Sequence, residues 1–118
     1  GFHVDFEMIK FAHKLKKDKL FCITDAVTET KKGPYQHKKS GSFFSNNGAL
    51  SGSCITMPKT FKNLIDKVGL SVQESINMCS NIPSQVVKKV KDKIKLKIGK
   101  AARFNILDNK FNLIRSVY

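Results

Sequence analysis

The sequence predicts an α/β fold, because helical and strand patterns alternate along its 118 residues. Apolar residues recur near helical spacing between residues 2 and 15. The apolar run at residues 20–23 is typical of a parallel strand buried on both faces. A hairpin, two helices and two further strands are predicted after it, and the length suits one small domain.

The first helix is predicted to begin at Asp5, a residue type that caps helices, and to end near residue 16. After a polar turn, the strand at residues 20–23 leads directly into Asp25. The loop that follows covers residues 26–34 and contains the turn residues Gly33 and Pro34. Hairpin strands are predicted within residues 35–45, a second turn at residues 46–48, and a loop at residues 49–53.

Two helices are predicted in the second half of the chain. The first covers about residues 57–68 and stops at Gly69. The second begins at a capping box formed by Ser71 and Glu74, and continues to about residue 80. A short turn of helix is predicted to start at Pro83 and to carry Val86 and Val87. The chain then ends with two predicted strands, at residues 104–107 and 111–118.

The net charge of +13 comes from 22 Lys and Arg against 9 Asp and Glu, which is typical of proteins that bind nucleic acid. Only Arg103 and Arg115 are arginines, the residue type that reads base edges with a bidentate fork. The densest stretch, residues 88–97, is interpreted as a solvated lysine-rich face. Nucleic-acid binding is therefore unfavoured, and steeply salt-dependent retention on DNA would indicate it.

The cysteines, Cys22, Cys54 and Cys79, form no CxxC motif, so we predict buried thiols in a reducing, cytoplasmic compartment. No apolar run of about 18 residues occurs, so no membrane partner is expected. The apolar pattern starts directly after Gly1. We therefore expect a segment cut from a longer chain, or a processed product.

Three features are candidates for chemistry. Asp25 follows an apolar strand, where α/β barrels place active-site residues, although an Asp there also caps turns. His3 precedes a helix cap and either contacts a ligand or is simply exposed. The glycine-containing residues 48–53 can approach a polar ligand closely, but they lack the Gly-Lys-Ser/Thr ending of a P-loop. His13 and His37 are interpreted as surface residues.

Several motifs occur in one order that resembles a known family. They are GFHVD at the start, TDA around Asp25, GALSGSCITM from residue 48, and then NLI, GLS, NIPS and IGKAA. This series resembles the N-acetylglucosamine-6-phosphate deacetylases of the amidohydrolase superfamily, and looks like their C-terminal third. The separation of His3 from Asp25 and the LSGSxxTM string are its specific parts. Residues 36–41 depart from the family pattern.

The resemblance implies a fold and a division of the chain. The family fold is a metal-dependent (β/α)8 barrel with a small β-domain built from both chain ends. Residues 1–95 would be the last strand and helices of the barrel, with a hairpin insertion near residues 35–48. Residues 96–118 would be strands returning into the β-domain.

The resemblance also implies a role for particular residues. Asp25 matches the catalytic carboxylate that takes a proton from the attacking water and passes it to the leaving nitrogen. His3 matches a residue that contacts the sugar phosphate. Leu50, Ser51 and Gly52 match a loop that lies against the substrate.

The intact protein is thereby expected to remove the acetyl group from N-acetylglucosamine 6-phosphate in amino-sugar catabolism, as a homodimer. A divalent metal, zinc or similar, would polarise the amide carbonyl and activate the water. Its ligands, a Glu and two His, lie upstream of the matched motifs. We therefore expect the isolated chain to be inactive. The alternatives are a basic nucleic-acid-binding module and a non-catalytic structural or dimerisation fragment.

Overall fold

The computed structural model describes residues 1–87 and 97–118. It confirms the α/β class. The elements in chain order are α1 (Phe6–Lys16), β1 (Lys38–Ser40), β2 (Phe43–Asn46), β3 (Ala49–Ser53), α2 (Met57–Asn63), α3 (Val72–Ile76), α4 (Ile82–Val86), β4 (Phe104–Leu107) and β5 (Leu113–Val117). The predicted domain boundary between residues 95 and 96, and most of the lysine-rich stretch, lie outside the described residues.

Helix α1 begins where the sequence predicts, because Asp5 accepts a hydrogen bond from the Glu7 backbone N–H at 2.8 Å. This bond satisfies one of the donors that a helix start leaves free. Phe6 and Ile9 on one face of α1 pack against the helical core. The helix thereby covers one side of the buried cluster formed by Leu64, Val68 and Met78.

The core lies among the helices. Leu64, Val68 and Met78 are buried and contact one another. The first two belong to a wider π-helical turn, Leu64–Val68, that continues α2 up to Gly69. Half-buried side chains surround this cluster: Phe6, Ile9, Leu20, Cys22, Leu70 and Cys79.

The capping box at the start of α3 is present. The Ser71 hydroxyl accepts from the Glu74 N–H, while the Glu74 carboxylate accepts from the Ser71 N–H at 2.8 Å. Helical structure then runs through a π turn, Asn77–Asn81, into α4, so the helix predicted to about residue 80 and the short helical turn predicted at Pro83 are continuous. The wider turn precedes Pro83, whose ring would clash with the carbonyl four residues back in a regular helix.

The five strands form two antiparallel sheets. One has the order β1-β2-β3, and the other is the β4-β5 hairpin. The prediction of a loop at residues 49–53 is wrong, because these residues form β3 by pairing with β2 and bury Gly52 and Ser53. The Asn47-Gly48 turn between them has positive φ angles of 49° and 82°, as a tight hairpin turn requires.

The predicted strand at residues 20–23 is also wrong. Leu20 and Cys22 face the helical core, and the Cys22 N–H donates to the Met78 carbonyl at 3.0 Å. Phe21 and Ile23 point the other way and are 38% and 72% exposed. The segment is therefore extended and buried on one face, rather than a ladder strand covered on both.

The β4-β5 hairpin is confirmed, and Asp108 shapes its turn. The carboxylate accepts hydrogen bonds from the Lys110 N–H and from both the backbone and side chain of Asn112. The hydrogen bonds from Asn112 are the main cause of the lowered pKa of Asp108. This turn presents the Phe111 ring edge-on to Phe61 of α2, with centroids 5.8 Å apart.

The capping box gives a test of helix stability. We expect Ser71→Ala to lower the free energy of unfolding by about 1 kcal/mol at neutral pH, because the hydroxyl no longer accepts from the Glu74 N–H or donates to the Glu74 carboxylate. The hydrogen bond from the Ser71 hydroxyl is the largest cause that lowers the pKa of Glu74, and the bond from the Ser71 N–H is the next. This stabilisation is therefore fully present above the pKa that Glu74 has in the unfolded chain. The difference between wild type and variant should shrink as pH falls through the folded-state pKa of Glu74.

Urea unfolding at neutral and acidic pH measures both effects. Ser42→Ala, in the exposed turn between β1 and β2, is the matched control and should leave stability unchanged. A loss at Ser71 that is equal at both pH values would contradict the role of the Glu74 carboxylate.

Candidate functional site

Asp25 lies where the helical part of the chain meets the three-stranded sheet. The Ser53 N–H donates to the Asp25 carbonyl at 2.9 Å, and the Val27 N–H donates to the Ser53 carbonyl at 3.1 Å. The Ser53 hydroxyl adds a bond to the Thr24 carbonyl. These bonds form a parallel bridge at Ala26, and they hold the exposed Asp25 carboxylate beside the end of β3.

Two backbone features make this junction possible. Asp25 itself has a left-handed φ of 48°, which turns the chain after residue 24 towards β3. Gly52 has a φ of 152°, and a Cβ there would lie 2.6 and 2.7 Å from the two methyl carbons of Val27. The absence of a side chain at Gly52 is therefore what lets the Asp25 segment approach the strand.

The predicted substrate loop forms the middle three residues of β3. Leu50 is 49% exposed, Ser51 is half-buried and Gly52 is buried. The register of β2 against β3 shifts here, since Ser45 pairs with Leu50 and Phe44 with Gly52. Ser51 is thus the extra residue of a β-bulge, a feature that re-aims a side chain within a sheet.

Sequence reasoning missed the role of His37. The prediction of a surface residue is wrong, because His37 is half-buried and its Nδ1 lies 3.0 Å from the Ser51 Oγ. The two residues are 14 positions apart and are joined across β2 by the register of the sheet. No local pattern in the sequence signals this pairing.

His3 is exposed, and the segment around it lies against the same sheet. The Phe2 ring packs on Phe43 of β2 with centroids 5.4 Å apart, and the N-terminal ammonium donates to the Val4 carbonyl at 2.8 Å. In the described part of the chain, no hydrogen bond joins His3 to Asp25. Backbone pairing thus brings Asp25 and β3 together, whereas His3 approaches the sheet through its neighbour.

The donors of this site do not by themselves fit a metal ion. Among residues 1–87 and 97–118, no group of three His, Cys, Asp or Glu side chains is placed to hold one. Asp25 contributes a single carboxylate. The predicted metal would need ligands beyond these residues.

Away from the Asp25 site, a cleft of about 440 Å³ opens between α1 and the helices that follow α2. The His13 side chain lines it with 17% exposure, 3.9 Å from the Glu74 carboxylate. His13 is thus a partly buried residue of the molecular surface, as predicted, but it faces a cleft and a carboxylate. Over the described ranges, no helix has the length and apolar character needed to cross a membrane.

The cysteines differ from the predicted buried thiols. Cys54 is exposed, whereas Cys22 and Cys79 are half-buried at the edge of the helical core. A hydrogen bond from Cys79 lowers the pKa of Cys22 against the opposing effect of burial. The same bond, together with burial and the charge of Cys22, raises the pKa of Cys79.

Comparison with known proteins points to one enzyme. No family model matches the chain. It is 24% identical over 128 residues to the N-acetylglucosamine-6-phosphate deacetylase of Haemophilus influenzae, covering 99% of this chain and 33% of that protein. The Bos taurus enzyme of the same name is 25% identical, with 100% of this chain and 31% of that protein covered.

A solved structure gives the same result. The crystal structure of N-acetylglucosamine-6-phosphate deacetylase from Pasteurella multocida superimposes with a TM-score of 0.84 and 28% identity. The match covers 99% of this chain and 33% of that one. The resemblance found in the sequence is therefore confirmed, and the chain spans about a third of the length of the relatives that it matches.

The contact between Gly52 and Val27 gives a test of the junction. We expect Gly52→Ala to lower the free energy of unfolding by more than about 2 kcal/mol, because it adds a steric clash to a strained φ. Gly33→Ala is the matched control, since φ is 97° there and nothing lies within 4 Å. It should cost only the backbone strain, about 1 kcal/mol.

Thermal or urea unfolding of three variants separates the two causes. Adding Val27→Ala to Gly52→Ala should recover the steric part of the loss and leave the backbone part. Equal losses for Gly52→Ala and Gly33→Ala would show that the close approach of Val27 does not matter.

Proposed function

We propose that the protein containing this chain hydrolyses N-acetylglucosamine 6-phosphate to acetate and the free amino sugar. The observation that carries the proposal is the match to a solved deacetylase, with a TM-score of 0.84 over 99% of the chain. The Asp25 junction supports it, because the candidate catalytic carboxylate and the candidate substrate loop are held together by backbone hydrogen bonds.

Asp25 is the proposed catalytic residue. Amide hydrolysis needs a group that accepts a proton from the attacking water and a proton for the departing nitrogen. One exposed carboxylate at the edge of a rigid junction can do both in turn. Its backbone is fixed on both sides by Ser53, so the carboxylate is presented from a defined position.

The substrate would be bound by His3, Leu50, Ser51 and Gly52. The backbone of β3 approaches closely at Gly52, where no side chain intervenes. Ser51 offers a hydroxyl, and exposed Leu50 offers an apolar contact for a sugar face. His3 would add a ring nitrogen for the phosphate, from the segment that Phe2 holds on β2.

The proposal includes the architecture of the intact enzyme. Residues 1–95 would complete a (β/α)8 barrel, and residues 96–118 would return to a small β-domain. The enzyme would be a cytoplasmic homodimer that depends on a divalent metal. Because the donors among residues 1–87 and 97–118 do not fit a metal by themselves, its ligands would come from other residues of the intact enzyme.

The nucleic-acid alternative is not favoured. The Haemophilus influenzae and Bos taurus relatives and the solved Pasteurella multocida structure are all deacetylases, and each aligns with nearly the whole chain. A solvated lysine-rich surface accounts for the charge of +13 without a nucleic-acid partner.

Asp25→Asn tests the catalytic role in the full-length enzyme. We expect acetate release from N-acetylglucosamine 6-phosphate to fall by at least about 100-fold, because the amide cannot accept the proton. Metal content, measured on the same preparation, should not change. Asp18→Asn, in the exposed turn after α1, is the control. Turnover close to wild type in Asp25→Asn would contradict the assignment.

The isolated 118-residue chain gives a second test. We expect it to release no acetate in the presence of zinc, because its described residues provide one candidate catalytic carboxylate and no group of metal ligands. Zinc-dependent acetate release by this chain alone, removed by Asp25→Asn, would contradict the prediction.

A further inference from the structure

We propose that His37 is a positioning residue of the substrate site, and that it fixes the direction in which Ser51 presents its hydroxyl oxygen to the sugar. The inference rests on the proposed function. It goes further by naming a residue in the hairpin, a segment that departs from the pattern of the deacetylases, and by naming the kind of group that Ser51 recognises.

The β-bulge places Ser51 within reach of the hairpin. Ser51 has no pairing partner on β2, because Leu50 pairs with Ser45 and Gly52 with Phe44. Its side chain therefore leaves the regular alternation of β3. It meets the imidazole of His37, whose Nδ1 lies 3.0 Å from the hydroxyl oxygen.

Contacts to the backbone and to the ring of His37 hold the residue in place before any ligand binds. The His37 N–H donates to the Thr30 hydroxyl at 2.8 Å, and the His37 carbonyl accepts from the Thr30 N–H at 3.1 Å. The Tyr35 ring packs edge-on against the imidazole with centroids 5.1 Å apart. A group fixed in advance loses little entropy when the substrate arrives, which is how a positioning residue contributes to affinity.

The chemistry of the pair defines what Ser51 can recognise. A hydroxyl has one proton to donate and two lone pairs that accept. With neutral imidazole in the Nε2–H form, Ser51 donates its proton to Nδ1 and keeps a lone pair free. That lone pair accepts from a donor, so Ser51 would bind a sugar O–H or the amide N–H rather than the phosphate, which offers only acceptors at neutral pH.

A positioning role fits this pair better than a nucleophile activated by a base. A nucleophilic serine needs a base that a third group orients, and in the described part of the chain no carboxylate hydrogen-bonds His37. The proposed hydrolysis already uses water as the nucleophile. A positioning residue controls KM, whereas a nucleophile and its base control kcat.

Kinetics of the full-length enzyme test the role with N-acetylglucosamine 6-phosphate. We expect Ser51→Ala and His37→Ala each to raise KM by about 3- to 10-fold, with kcat nearly unchanged. The double variant should be no worse than either single variant, because His37 acts through Ser51. His37→Asn should restore most of the affinity, since its amide oxygen can accept from Ser51. Lys39→Ala, exposed on β1, is the control.

A histidine nitrogen NMR spectrum of the same enzyme reads the hydrogen bond directly. We expect an unprotonated His37 Nδ1 at neutral pH, with a shift that changes in Ser51→Ala and not in Lys39→Ala. A protonated Nδ1, additive losses in the double variant, or a fall in kcat would each overturn the inference. A wild-type enzyme that releases no acetate would instead overturn the proposed function, and the substrate role of His37 with it.

Discussion

The arrangement of the candidate site depends on the short parallel contact between the Asp25 segment and the end of β3. Ser53 bonds to the backbone on both sides of Ala26, and this contact joins the extended chain behind the helical core to the sheet. The extended residues before Asp25 pack on the helical core through Leu20 and Cys22. The position of the Asp25 carboxylate is therefore set by the packing of the helices. Gly52 permits the contact because it has no side chain.

The same contact explains why the site is built from segments of different stability. The helices carry the buried cluster and their own caps, so they give the chain most of its order. Phe44 is the one apolar side chain that the sheet β1-β2-β3 buries, so the sheet depends on its neighbours. A candidate binding strand at the edge of such a core combines a fixed backbone with side chains that remain accessible.

The sequence predicts the parts that local chemistry determines. Asp5, Ser71 and Glu74 bond within their own turns, so their spacing was sufficient to locate α1 and α3. Strand β3 was not predicted, because small residues have low β propensity and the strand forms through its partner. The bond between His37 and Ser51 depends on a bulge and a register, which exist only after three strands have paired.

The one-sided burial of residues 20–23 has a consequence for the colloidal behaviour of the chain in solution. Phe21 and Ile23 form an apolar strip, and only the mutual repulsion of a net charge of +13 opposes contact between such strips on different molecules. Salt shortens the range of that repulsion to about 8 Å at physiological ionic strength. The isolated chain should therefore remain dispersed in dilute buffer and self-associate as salt is added, the reverse of salting-in.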